Sequence, residues 1–183
     1  MKSGSRSLGI AFSDGDDRSW IAGALVRTNG RVDDLIGGTC TVGGTDATAS
    51  VIDLVERLDR EDARRLVIAG VAPAWFNLVD IEAIHRAVDR PVISVSFEAS
   101  PGLEPALREQ FDGDALAARL ATYRSLPDRR GTTAPFVRAV GLDPDRAADV
   151  VREVTVDDDD RPEPVRVAKR AARAFRRFAA EQQ

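Results

Sequence analysis

The alternation of apolar and polar positions divides the chain into elements, and one stretch stands out. Residues 66–97 read LVIAGVAPAWFNLVDIEAIHRAVDRPVISVSF. The pattern predicts a strand over 66–71, a loop through Pro73, Trp75 and Phe76, a helix over about 78–88 and a second strand over 91–97. Both strands are nearly continuous apolar runs, which suits parallel strands covered on both faces. Together they form one βαβ unit. Ligands of open α/β sheets sit beyond the carboxyl ends of such strands, so the loop over 72–77 is the first place to look for chemistry. Asn77 reads as the helix N-cap, and Asp80, three residues on, completes a capping-box pattern.

Upstream, the pattern predicts strands over 6–12 and 20–27, then a third within 32–42, loosened by Gly37 and Gly38. Thr28-Asn29-Gly30-Arg31 between the last two is a hairpin signal, because Asn-Gly accepts the positive φ values of a tight I′ turn. Gly43-Gly44-Thr45-Asp46 ends this meander and opens a helix, with Thr45 or Asp46 as N-cap and Val51, Ile52, Leu54, Val55 and Leu58 as its apolar face. Downstream, helices are predicted over 101–111 and 115–126, a strand over 135–140, and a helix from Asp143-Pro144 to about 154. After the run Asp157 to Asp160, a last helix passes through 168–180, with Val165, Ala168, Ala172, Phe175 and Ala179 as an apolar stripe and Arg166, Lys169, Arg170, Arg173, Arg176 and Arg177 around it. An antiparallel three-strand start followed by alternating helices and parallel strands is a mixed-sheet α/β layout. A chain of 183 residues predicts one domain over 1–183.

Composition adjusts this reading in three ways. Aromatic residues are only 5% against 43% apolar overall, so the core is expected to be Val, Ile, Leu and Ala. No run of about 18 apolar residues occurs, no signal-peptide stretch opens the chain, and Cys40 stands alone, which predicts an intracellular, cytoplasmic protein without a membrane span or a Cys-rich metal site. The net charge is −4, lysine occurs only at positions 2 and 169, and aspartate outnumbers glutamate. This balance resembles proteins of salt-loving microbes, and it means that a nucleic-acid partner need not announce itself through global basicity.

Several residues carry more than one reading. Asp14, Asp16 and Asp17 fit either metal ligands beyond the first strand or a solvated turn. Asp46 and Asp80 fit ligand or capping roles. Trp75 and Phe76 suit stacking on an extruded base, or a hydrophobic staple onto the following helix. His85, the only histidine, has no partner at metal-binding spacing and reads as structural, and Asp157 to Asp160 read as a solvated turn. The arginines of the tail suit phosphates, or simply an exposed helix face.

Five segments taken together, SLGIAFSDG at the amino end, GGTDAT at 43–48, AGVAPAWFNLVDI, PVISV at 91–95 and RPEPVRVAK at 161–169, resemble the archaeal endonuclease dU family, itself similar to endonuclease V and RNase H-like in fold. The resemblance covers essentially the whole chain. It implies metal-dependent cleavage of DNA near a deaminated base such as deoxyuridine. Carboxylates of the first strand, first helix and fourth strand would hold Mg²⁺, which activates water and stabilises the scissile phosphate. Matched position by position, the acidic residue of the first strand falls at Ala11, with Phe12-Ser13 before Asp14-Gly15. That of the fourth strand falls at Ala69 before Gly70, and the His or Asp of the tail motif falls at Lys169. Asp14, through a shifted register, and Asp46 remain as catalytic and metal-ligand candidates; Trp75, Phe76, Asn77, Arg166 and Lys169 are the substrate-binding candidates. The expectation is an endonuclease of impaired activity, or alternatively a nucleic-acid binder without nuclease activity. A protein-protein module built on the tail helix is a third reading.

Overall fold

Side-chain alternation along the central strands decides which residues of this protein meet. A computed structural model describes residues 4–156 and 160–182. The meander comprises β1 (Arg6–Asp14), β2 (Arg18–Arg27) and β3 (Val32–Thr41), followed by α1 (Ala47–Leu58) and β4 (Ala63–Ala69). Next come α2 (Pro73–Phe76), α3 (Ile81–Val88), β5 (Val92–Ser96), α4 (Glu104–Gln110) and α5 (Gly113–Ser125). The chain closes with β6 (Phe136–Val140), α6 (Pro144–Glu153) and α7 (Glu163–Glu181). The strands form one sheet in the order β3-β2-β1-β4-β5-β6, antiparallel across β3-β2-β1, parallel from β1 through β4 to β5, and antiparallel again at β6.

In β1, Leu8, Ile10 and Phe12 point to one side, where they share a core with Leu54 and Val55 of α1 and Ile81 and Ile84 of α3. Gly9 and Ala11 point to the other side, toward α7. The same division holds in β4, where Leu66 and Ile68 join the first core while Val67 joins α6 and α7 through Val150, Val151 and Val165. This double covering is why both strands read as continuous apolar runs. Gly9 has a specific reason to be glycine: a Cβ there would fall on the Pro164 carbonyl, so only a bare backbone lets α7 approach β1.

Four local expectations are corrected. The β2–β3 turn is not type I′: only Gly30 has positive φ, at +84°, and Gly30 N–H bonds the Arg27 carbonyl while Arg27 N–H bonds the Arg31 carbonyl. This is a type I turn followed by a left-handed glycine, the three-residue alternative to the tight turn. The strand expected over 66–71 starts earlier and stops at Ala69, because Gly70 turns left-handed at φ +75°. The helix expected over 78–88 begins at Ile81; Asp80 is its N-cap, accepting from Glu82 and Ala83 N–H, and Asn77 is not. The strand expected to continue a parallel series, β6, returns antiparallel. The tail helix reaches back to Glu163, which places Val165 in its apolar stripe as the pattern implied. Of the acidic run, residues 157–159 lie outside the described residues.

Candidate functional site

Ala11 and Ala69 meet because β1 and β4 run parallel with Ile10 opposite Ile68. Both face α7 and belong to one small apolar cluster with Ala24, Val26 and Ala168. Lys169 follows on α7, half-buried, and its Nζ donates to the Phe12 carbonyl. Burial pushes the Lys169 ammonium below its ordinary pKa, with Arg173 adding to the effect and Asp14 opposing it. The positions where the resemblance implies two carboxylates and a further ligand thus hold methyl groups and a cation.

Asp14 does not take the place of Ala11. β1 continues to Asp14, so Phe12 and Ser13 are ordinary strand residues paired with Ile21 and Trp20. Three residues beyond Ala11, alternation turns Asp14 to the α1 side of the sheet. There it is exposed and accepts from the Ser19 hydroxyl at 2.6 Å. Ser19 in turn lies opposite Cys40 on β3. Asp46, the residue before α1, is also spoken for. Its carboxylate does not cap its own helix but turns back to Thr41 N–H at 3.0 Å, the Thr41 hydroxyl at 2.9 Å and Asn77 Nδ2 at 2.7 Å. Burial raises the Asp46 pKa, but the bonds from Thr41 and Asn77 outweigh it and hold the carboxyl below its ordinary value.

Asp14 and Asp46 do share one end of the sheet, since both act on Cys40. Burial first, then these two carboxylates, push its thiol up to about 12. Sharing an end is not enough for Mg²⁺, which requires near-octahedral oxygen ligation and at least one or two free carboxylates. Among the described residues no three His, Cys, Asp or Glu side chains converge as a metal site. The donor set of Asp14, Asp46, Ala11, Ala69 and Lys169 does not fit the two-metal centre implied by resemblance.

The remaining candidates separate by burial. Asp16 and Asp17 are exposed, and His85 is structural: its Nδ1 shares a 2.8 Å hydrogen bond with the Arg90 carbonyl, and Gly141 packs on its ring. Asn77 is fully buried, so it cannot touch a substrate. Its Oδ1 accepts from Ala47 N–H at 2.9 Å, and its Nδ2 donates to the Thr41 carbonyl at 2.8 Å as well as to Asp46. Arg166 is engaged by both oxygens of Glu163 at 2.6 Å, and the Lys169 ammonium is turned to Phe12 rather than outward. Of these three, burial closes only Asn77 to a substrate; Arg166 and Lys169 stay partly exposed.

Trp75 alone of the loop aromatics stands well clear of the core, at 49% exposure. Ala74, Trp75 and Phe76 are consecutive left-handed residues with φ of 50°, 50° and 62°. Such conformations cost about 1–3 kcal/mol each unless the surroundings enforce them. Here Arg119 of α5, itself buried, enforces them: it donates to the carbonyls of Phe76, Gly43, Gly44 and Ala115. Its guanidinium also stacks 3.9 Å from the centroid of the Phe111 ring, and that ring packs on Trp75 and Phe76. Gly43 N–H closes the turn on the Ala74 carbonyl at 2.7 Å.

A cavity of about 410 Å³ opens beyond the carboxyl ends of β4 and β5. Gly70, Ser94, Ser96, Tyr123 and Arg138 are among its lining groups. Ser94 and Arg138 are register partners on β5 and β6, which places hydroxyls and a guanidinium on one wall. None of these lining side chains, nor Arg119, was singled out by sequence. Arg138, a lone charge inside the apolar run FVRAV, carried a usable signal; Arg119, one arginine among many, carried none.

Comparison with known proteins adds family and fold. The family model described as endonuclease dU matches residues 3–176. A UPF0215 protein of Pyrobaculum calidifontis is 30% identical over 176 residues, covering 94% of this chain and 96% of its own. A solved protein of unknown function from Archaeoglobus fulgidus is similar at a TM-score of 0.84 and 25% identity, over 93% of this chain and 97% of that one. Endonuclease V of Ciona intestinalis, solved with a 24mer DNA containing an inosine followed by a ribo-adenosine, gives a TM-score of 0.64 at 10% identity, over 98% and 89% of the two chains. The last likeness is one of fold: the mixed α/β sheet here is the RNase H-like sheet of endonuclease V.

Proposed function

Because the chain belongs to the endonuclease dU family, we propose that it engages DNA carrying a deaminated base, deoxyuridine first, and that metal-dependent strand cleavage is impaired in this copy. The observation that carries the second half is Lys169, whose ammonium bonds the Phe12 carbonyl beside the buried Ala11 and the partly buried Ala69. Metal-assisted phosphodiester cleavage gains several kcal/mol of transition-state stabilisation from cations held by carboxylates. A loss of about 4 kcal/mol is roughly a thousandfold in rate. Methyl groups supply no ligand, and a fixed ammonium repels the cation they would have to hold.

The cavity beyond β4 and β5 supports the first half. Chemistry or recognition at a base inside a duplex requires that base to leave the stack for a pocket with polar groups for its edge and apolar walls for its faces. At about 410 Å³, with Ser94, Ser96 and Arg138 on one wall, the cavity has room and donors for one base. Trp75, exposed on its clamped turn, suits stacking on a neighbouring base. DNA, and not a membrane, is the partner on this reading.

The test compares a duplex containing one deoxyuridine with the undamaged duplex, by mobility shift and by nicking, with Mg²⁺ or Mn²⁺ across low and high salt. Preferential binding to the deoxyuridine duplex without metal-dependent nicking is expected. Robust metal-dependent nicking overturns the impairment, and so does tight Mg²⁺ binding in calorimetric titration. Equal or absent binding to both duplexes overturns the recognition.

A further inference from the structure

Eleven of the 24 arginines of this acidic protein have a carboxylate partner among the described residues. Arg6 and Arg27 share Asp33, Arg57 holds Asp53, Arg60 holds Asp34 and Asp62, and Arg124 holds Glu104. Others, Arg18, Arg64 and Arg130 among them, are exposed without such a partner among the described residues, and on α7 arginines of this kind cluster. Arg166 is tied to Glu163 and Arg176 to the Asp14 carbonyl, but Arg170, Arg173 and Arg177 are exposed and make no hydrogen bond or ion pair among the described residues.

These three positions form a row. At 100° and 1.5 Å per residue they lie within about 60° of arc and span about 10 Å along the axis. They sit opposite the stripe of Val165, Ala168 and Ala172, which is buried against the sheet. Rotation of the helix to hide them is therefore not available. The row starts next to Lys169, beside Phe12 and Ala11, and ends at a groove of about 510 Å³ lined by Gly15, Trp20, Arg176 and Arg177. Asp16 and Asp17 line that groove too, so the positive surface is the outer row and not the groove floor.

We infer that Arg170, Arg173 and Arg177 of α7 form a track for the phosphodiester backbone of a nucleic acid. The inference rests on the proposed engagement of DNA and adds to it where the backbone runs. Guanidinium groups stay charged at any physiological pH, and their forked donors match phosphate oxygens. One strand carries a charge about every 3.4 Å of helix axis, so 10 Å of arginine row meets roughly two or three phosphates. A track of this kind carries no base information, so it sets affinity and salt dependence while leaving base preference to the cavity.

The experiment measures binding of labelled duplexes, with and without deoxyuridine, by fluorescence anisotropy over a range of KCl. Three proteins are compared: the unaltered chain, the triple variant Arg170→Gln, Arg173→Gln, Arg177→Gln, and a charge-matched control with Arg57→Gln, Arg86→Gln and Arg108→Gln. For the triple variant, the slope of log affinity against log salt is expected to flatten by about 2–3, with the ratio between the two duplexes unchanged. The control is expected to keep the original slope. If the unaltered chain binds and the triple variant keeps its slope, the track is wrong while the proposed function stands. Equal flattening in the control also overturns it, because net charge alone then explains the effect. A variant that loses its deoxyuridine preference places the row at the base and overturns it as well. If the row instead serves an anionic membrane, the triple variant loses binding to phosphatidylserine vesicles and keeps its DNA slope. No DNA binding by the unaltered chain overturns both proposals.

Discussion

Asn77 ties together three segments that are far apart in sequence, and replacing it tests whether that knot organises the loop. Its side chain is fully buried and makes three hydrogen bonds: Ala47 N–H, the Thr41 carbonyl and the Asp46 carboxylate. Asn77→Ala orphans the Ala47 N–H, which as the first helical donor of α1 has no partner within its helix. An orphaned buried group costs about 1–3 kcal/mol. Thr41 is exposed and Asp46 half-buried, so water replaces part of what they lose. The expected loss is therefore about 2–4 kcal/mol, or a fall of roughly 5–15 °C in Tm for a domain of this size. Asn77→Asp keeps the shape and reverses the chemistry: a carboxylate cannot donate to Thr41, and it faces the Asp46 carboxylate. At neutral pH it is expected to cost more than Asn77→Ala. A buried carboxyl beside a like charge has its folded pKa raised above its unfolded value, so the extra loss is full above the folded pKa, shrinks as pH falls below it, and is gone below the unfolded value. Pairing Asn77→Asp with Asp46→Asn removes the repulsion but leaves the Thr41 carbonyl without its donor, so the rescue is partial. Urea denaturation followed by far-ultraviolet circular dichroism, at neutral and mildly acidic pH, reads all four proteins. A loss below about 1 kcal/mol for Asn77→Ala, or equal losses for the two single variants at every pH, refutes the account.

Three further outcomes follow from the same structure. Arg119→Lys keeps the charge but not the planar fork that reaches the Phe76, Gly43 and Gly44 carbonyls, so a loss of about 2 kcal/mol in urea denaturation and altered Trp fluorescence are expected; full retention of both sinks the clamp. The Cys40 thiol, raised from 9.0 to about 12 chiefly by burial, is expected to resist alkylation in the native protein at mildly alkaline pH. It favours folding below its unfolded value, and that contribution is lost as pH rises from 9.0 toward 12, so Cys40→Ala flattens the alkaline limb of a stability profile. Asp33, lowered from 3.8 to about 2 by its bonds from Arg27 and Arg6, contributes stability above pH 3.8 that is lost as pH falls toward 2; Asp33→Asn removes that part of the acid limb, and an unchanged limb contradicts it.

Much of the fold could be read from local pattern. The continuous apolar runs of β4 and β5 announced a buried parallel pair, and their alternating contributions to two cores are the physical reason. Errors fell where two neighbouring signals competed. Asn77 and Asp80 both looked like caps, and the backbone used Asp80 while burying Asn77 in a knot that no local rule shows. The hairpin Asn-Gly kept only its glycine in the left-handed region, because the chain closed a longer turn.

For the site, the sequence by itself determined what is missing: Ala11, Ala69 and Lys169 are legible as soon as the chain is aligned with its family's motifs, since a missing carboxylate needs no geometry to be noticed. Only the tertiary structure decided that Asp14 is no substitute, because three steps along a strand reverse the face and point it away from Ala11 and α7. It also decided which charges are available. Lys169 and Arg166 carry the same charge in sequence as Arg170, Arg173 and Arg177, yet the first two are engaged at Phe12 and Glu163 and the last three face solvent. Charge is a property of the residue, and its availability is a property of the packing around it.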